Sequence, residues 1–146
     1  MTKDVVILVG EDDEGHFELI RKNLLRAGVS NEMHRLANGQ EILDFFLTMS
    51  KRPKQKHNGQ KYILLLDIRI PKVDGVEVLE KIKQDKIFLK LPVIILTVAD
   101  GPHTIEQCYN LGCNTYIVKP TEHEDFEETI QKIGRFLSVV EVASVK

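Results

Sequence analysis

Three runs nearly free of polar residues stand out along the chain: Asp4–Gly10 (DVVILVG), Tyr62–Leu66 (YILLL) and Val93–Leu96 (VIIL). A run without a polar break is the pattern of a strand buried on both faces of a parallel sheet. Met33–Leu36 and Thr115–Val118 are weaker strand candidates. Between these segments apolar residues recur at helical spacing. Phe17, Ile20 and Leu24 mark a first helix that Gly28 closes, and Ile42, Phe45, Phe46 and Met49 mark a second within Gly39–Ser50. Val76, Leu79 and Ile82 mark a third, ending before Leu91-Pro92, with Pro92 expected to start a strand. Asp100-Gly101-Pro102 opens a fourth, with Ile105, Cys108 and Leu111 inward and Gly112 at its end. Thr121-Glu122-His123-Glu124 fits an S/T-x-x-E capping box ahead of a fifth, whose stripe is Phe126, Ile130, Ile133 and Leu137. Five strands alternating with five helices predict an α/β, doubly wound parallel sheet covered on both faces.

The chain has 146 residues, enough for one domain with its own core, expected over residues 1–146. Its apolar runs are far too short to span a bilayer, and Lys3-Asp4 followed by a brief apolar run and then acids is no signal peptide. A cytoplasmic protein is expected. Cys108 and Cys113 lie five apart, outside any CxxC pattern, and read as packing residues. His16, His34, His57, His103 and His123 show no ligand spacing. The net charge of −2 gives no pull toward nucleic acid or an acidic membrane. Lys51–Lys61 (KRPKQKHNGQK) carries five basic residues and no apolar one, and reads as an exposed loop, with docking of an acidic partner as the alternative. The stretch after Leu137 (SVVEVASVK) stays apolar and β-branched. It either packs back on its own domain or joins a partner chain.

The strand ends carry the chemistry. In a doubly wound sheet, ligands bind beyond the carboxyl ends of the strands. Glu11 and Asp12 follow the first strand, Asp67 the third, Thr97 the fourth and Lys119 the fifth, so all five are expected in one cleft. Asp67 alone is open to two readings, a carboxylate held for chemistry or an ordinary capping aspartate, and Pro71 with Asp74-Gly75 makes a stiff turn after it. Three carboxylates in one cleft repel one another, which recruits a cation or raises their pKa values. A hard divalent ion such as Mg²⁺, held by one or two carboxylates and waters, answers that repulsion. Lys119 adds positive charge and Thr97 a hydroxyl donor, as a transferring phosphoryl group requires, and Asp67 is the carboxylate that can take the phosphoryl covalently.

The acidic pair Glu11-Asp12 after strand 1, LLLD followed by PKVDG, ILT and YIVKP together resemble the receiver domain of two-component response regulators, over residues 4–137. The resemblance implies a flavodoxin-like fold with strand order 2-1-3-4-5, and a residue-by-residue assignment. Asp67 would accept phosphate from a phosphohistidine on a sensor histidine kinase. Asp12 and Asp67 would bind Mg²⁺ directly, the backbone carbonyl of Arg69 would be a third ligand, and Glu11 would act through metal-bound water. Lys119 would pair with the phosphoryl group, Thr97 would turn toward it, and Tyr116 would follow inward as the aromatic switch. The surface of helix 4, strand 5 and helix 5 would change. The Lys119–Pro120 bond would be cis. Catalysis would be confined to the chain's own phosphorylation and dephosphorylation, with no separate substrate. The basic loop, the ILT and GCNTYIVKP stretches and the apolar C-terminus are most similar to stand-alone regulators that partner cyanobacterial and bacterial phytochrome-type kinases. That likeness implies such a kinase as partner, a homodimer through the last helix and residues 138–146, no output domain, and no direct contact with nucleic acid or membrane.

The chain departs from the receiver pattern at four positions. Arg69 stands two after Asp67, Ala99 offers no side chain to orient a water, Val98 is bulkier than the usual small residue, and Gly10 is expected to loosen the end of strand 1. The competing readings are a haloacid-dehalogenase-type phosphohydrolase, a flavodoxin-type FMN carrier and a phosphate-independent pseudo-receiver. The first needs a second acid where Arg69 stands, and the second needs a phosphate cradle where Glu11-Asp12-Asp13-Glu14 would repel one.

Overall fold

The computed structural model describes residues 1–51 and 59–145. Five parallel strands, β1 (Val5–Gly10), β2 (Met33–Leu36), β3 (Lys61–Leu66), β4 (Val93–Thr97) and β5 (Thr115–Val118), form one sheet in the order β2-β1-β3-β4-β5. The helices are α1 (Glu14–Arg26), α2 (Gly39–Ser50), α3 (Gly75–Gln84), α4 (Pro102–Leu111) and α5 (His123–Leu137). The expected α/β architecture, strand order and flavodoxin-like topology are all present. Among the described residues, no helix is long and apolar enough to cross a membrane.

Two apolar layers cover the sheet because alternate strand residues face opposite sides. Leu8, Leu64, Leu66, Val93 and Ile95 pack with α2 and α3 through Phe46, Leu79 and Ile82. Val5, Ile7, Val9, Ile63, Leu65 and Leu96 pack with α1 and α5 through Leu24, Phe126 and Ile130. Asn23, fully buried between α1 and α5, is satisfied by Leu19 O, Glu127 and Gln131.

Local signals held in most places. Gly28 and Gly112 take the left-handed φ (+93° and +106°) that ends a helix. The proline at position 92 joins the ladder only through its carbonyl, which accepts from Leu64 N at 3.0 Å, so β4 starts one residue later. The capping box does not form: α5 begins at His123, its N-cap is Glu122 without a side-chain bond, and Thr121 lies one residue too early to reach the first free amides. In α4 only Cys108 is buried; Ile105 and Leu111 are half-buried, as Val76 is in α3, where Val78 takes the inward place. A 3-10 turn at Lys86–Phe88, which periodicity does not announce, sets Phe88 edge-on against Phe46 at 5.0 Å.

The C-terminal residues turn back onto the chain. Val142 joins the α1/α5 layer and Val145 the α2/α3 layer, and Val145 N donates to Gln60 O at 2.8 Å. The Met1 ammonium holds Ser138 O at 2.8 Å. Most of the predicted basic loop, residues 52–58, lies outside the described residues.

Candidate functional site

Parallel register brings distant residues to one edge. Gly10 pairs with Leu66, Leu66 with Ile95, and Thr97 with Val118, so the residues that follow these pairs emerge side by side. The pairing continues past the strands: Asp67 N donates to Gly10 O at 3.0 Å, and Lys119 N donates to Thr97 O at 2.7 Å. Glu11, Asp67, Thr97 and Lys119 are all buried, at 2%, 7%, 0% and 6% exposure. Four polar groups this deep are tolerated only if they satisfy one another.

They do so around Asp67. Its Oδ1 accepts from Thr97 Oγ1 at 2.6 Å and from the Arg69 amide at 3.0 Å. Its Oδ2 accepts from Lys119 Nζ at 2.9 Å, and the same ammonium donates to Glu11 Oε1 at 2.5 Å. Glu11 Oε2 accepts from the Asp13 amide at 3.2 Å. Two carboxylates share one ammonium. Burial pushes the Glu11 carboxyl up by more than Lys119 pulls it down. Burial would push the Lys119 ammonium down, but the bonds to Glu11 and Asp67 outweigh it and its pKa is raised.

Close backbone approaches hold the loop after Asp67. A Cβ on Gly75 would stand 2.5 Å from Ile68 Cα and 2.6 Å from Asp67 O, and one on Gly39 would stand 1.8 Å from Val73 O. Neither contact is compatible with a side chain, so glycine at both positions lets α2 and α3 press against the loop. Asp74 caps α3 by accepting from Glu77 N at 3.0 Å, and Gly39 N donates to Pro71 O at 3.2 Å. Gly10 does not loosen β1. It is paired on both sides, and the space a side chain would use is filled by Ile42 Cδ1 and Leu66 Cδ1.

Of the residues expected in the cleft, Asp12 stands apart: it is exposed, and among the described residues its carboxylate takes no hydrogen bond. Arg69 contributes its amide to Asp67 while its side chain is exposed. Tyr116 is half-buried and donates its hydroxyl to Ala99 O at 2.7 Å, and Ala99 N reaches Thr97 Oγ1 at 3.4 Å. A relay of bonds thus runs from Asp67 through Thr97 and Ala99 to Tyr116. The Lys119–Pro120 bond is trans, since no peptide bond among the described residues is cis; trans is the isomer a prolyl bond prefers by about 0.5–1 kcal/mol. Two neighbours went unread in the sequence. Arg35 of β2 donates to Glu11 O and Asp12 O, and His16 Nδ1 lies 4.0 Å from Glu11 Oε2. A basic residue near the end of the strand beside β1 is the signal that could have found the first.

Among the described residues, no group of three or more His, Cys, Asp or Glu side chains is placed to hold a metal ion. A Mg²⁺ ion asks for less, namely one or two carboxylates completed by carbonyl oxygen and water. Asp67 and the unpartnered Asp12 follow neighbouring strands, and every donor there is a hard oxygen, so the residues present fit such an ion.

Residues 7–131 match the response regulator receiver domain family. A response regulator receiver domain from Rhodospirillum rubrum superposes with a TM-score of 0.89 at 36% identity, covering 97% of this chain and 99% of that one. The phosphorylated cyanobacterial phytochrome response regulator RcpA superposes with a TM-score of 0.82 at 27% identity, covering 95% and 98%. Response regulator Rcp1 of Synechocystis sp. is 28% identical over 131 residues, 90% of this chain and 87% of Rcp1. Its Mn(2+)-bound form superposes with a TM-score of 0.80 at 27% identity, covering 95% and 99%. With the sheet order, the buried strand-end cluster and this match in agreement, the chain belongs to the response regulator receiver domain family of two-component signalling.

Proposed function

We propose that this receiver takes a phosphoryl group onto Asp67 from a phosphohistidine of a sensor histidine kinase, in a Mg²⁺-dependent reaction. The observation that carries the reading is the setting of the Asp67 carboxylate, buried at a strand end between an ammonium and a hydroxyl. A carboxylate oxygen attacks phosphorus, the P–N bond to the histidine breaks, and the new P–O bond leaves an aspartyl phosphate. Lys119 stabilises charge on the phosphoryl oxygens, and Thr97 offers its hydroxyl to them. Mg²⁺, held by Asp12, Asp67, the Arg69 carbonyl and, through water, Glu11, would neutralise charge on the phosphoryl oxygens.

The relay through Ala99 supports a switch. A phosphoryl group formed on Asp67 Oδ1 would occupy the oxygen that Thr97 now bonds, so the hydroxyl would be re-aimed and Ala99 and Tyr116 would move with it. The affected surface is that of α4, β5 and α5, where Tyr109, Val118 and Phe136 are exposed. Exposed Phe136 (57%) and Val139 (76%) favour a homodimer through the last helix, which light scattering of the purified chain would detect. The likeness to RcpA favours a phytochrome-type kinase as donor, and free Cys108 and Cys113 suit a reducing cytoplasm.

Intact mass after incubation with acetyl phosphate tests the reading. The expected result is one added phosphoryl group with Mg²⁺, none with EDTA and none in Asp67→Asn. The same gain in Asp67→Asn would overturn the assignment of the acceptor. No gain, together with no Mg²⁺ binding, would favour the pseudo-receiver.

A further inference from the structure

Arg35 sits near the end of β2, in register with Val9 of β1, with its side chain one-quarter exposed. Its Nη1 donates to the carbonyls of Glu11 at 3.2 Å and Asp12 at 3.3 Å, and its Nη2 lies 3.9 Å from Glu14 Oε1. The other acids of this loop are held through their own side chains: Glu11 on Lys119, and Asp13 by accepting from His16 N at the start of α1. Asp12 has no such anchor among the described residues, so what the fold fixes of it is the position of its Cα and the direction of its Cα–Cβ bond, which are set by its backbone. Arg35 holds two carbonyls of that backbone, beside the bonds of the Glu11 amide to Leu36 O and of the Asp13 amide to Glu11 Oε2. A guanidinium is suited to the task, because its donors are pre-organised in a plane and bonds from a charged donor are the stronger kind.

We propose that Arg35 is a positioning residue that aims Asp12 at the divalent cation, an inference that rests on the phosphoryl-acceptor reading above. The sign of its effect separates this role from a purely electrostatic one. A fixed cation beside a metal site repels the metal, so if charge alone mattered, removing Arg35 would tighten binding. If Arg35 positions Asp12, its removal weakens binding in spite of the relieved repulsion.

The test is calorimetric titration of the full chain with MgCl₂, for wild type, Arg35→Met and Arg35→Lys, with thermal melting in EDTA to establish that each variant is folded. Arg35→Met is expected to weaken Mg²⁺ binding about tenfold, the lower end of what loss of a ligand's supporting partner costs. Arg35→Lys keeps the charge but loses the fork, and is expected to fall between the two. Binding by Arg35→Met equal to or tighter than wild type overturns the proposal. Should Arg35→Met not fold, Arg35→Lys decides alone, because a charge effect leaves it equal to wild type and a positioning effect weakens it. A wild-type chain that binds no Mg²⁺ overturns the proposal together with the reading it rests on, whereas wild-type binding with unaltered variants overturns the proposal alone.

Discussion

Lys119 is the residue on which the electrostatics of the site turn. It is the cation that both buried carboxylates touch, and removing one partner of a buried ion pair leaves uncompensated charge. Lys119→Met is therefore expected to lower stability at neutral pH by about 3 kcal/mol, read from urea unfolding. The pH dependence follows from the direction of its shift. Because the folded-state pKa is raised above the ordinary 10.5, the ammonium contributes stability that is complete below pH 10.5 and is lost as pH rises through the raised value. The gap between wild type and Lys119→Met should close in that alkaline window. Glu11, also raised, acts in the same direction within its own, more acidic range: folding favours its protonated form, so its contribution declines as pH climbs from 4.5 toward the raised value. A Lys119→Met penalty that is equal at pH 7 and in the alkaline window would mean that lost packing, and not the ion pair, carries it. Asp67 and Lys119 were legible in the sequence because each closes an apolar run. Arg35 was not, because it lies in a short strand with no clear pattern, and its partners are backbone carbonyls that carry no sequence signature.

At the scale of elements, the β3–α3 loop is held by absences. The Cβ that Gly39→Ala adds would lie 1.8 Å from a backbone oxygen of Val73, an atom that cannot swing aside like the tip of a side chain. The expected cost is about 3 kcal/mol, the upper end of ordinary overpacking, and circular-dichroism melting would read it. Since the displaced loop carries the Arg69 amide that bonds Asp67, the variant should also accept phosphate from acetyl phosphate more slowly at temperatures where it remains folded. A melting point equal to wild type would show that α2 tilts away freely. Helix and strand types came through clearly in the pattern of apolar residues, but boundaries did not. The capping box at Thr121 fits the rule for a helix start, yet Thr121 and Glu122 form a bend and α5 begins only at His123.

For the whole molecule, residues 138–145 close the sheet from below. Val142 and Val145 are nearly fully buried in opposite layers, and the backbone bond to Gln60 ties the end of the chain to the entry of β3. Deleting residues 138–146 exposes the surfaces these valines cover, and at about 1.5 kcal/mol for each buried side chain the loss is about 3 kcal/mol. The urea midpoint should fall accordingly, with the denaturant slope little changed. An unaltered midpoint would assign the segment to a partner's surface instead.

The order of apolar and polar positions by itself determined the five strands and five helices, the parallel sheet, and the placing of Glu11, Asp12, Asp67, Thr97 and Lys119 at strand ends. It could do so because burial on two faces leaves few polar residues within a strand, and a parallel sheet gathers the carboxyl ends of its strands on one edge. Only the tertiary structure decided how those residues share their bonds: that Lys119 bridges Glu11 and Asp67, that Asp12 is left without a side-chain partner among the described residues, that Gly10 is packed and not loose, and that Val142 and Val145 turn inward. These outcomes depend on distances between segments up to 108 positions apart, as Glu11 and Lys119 are, and no local pattern of residues encodes them.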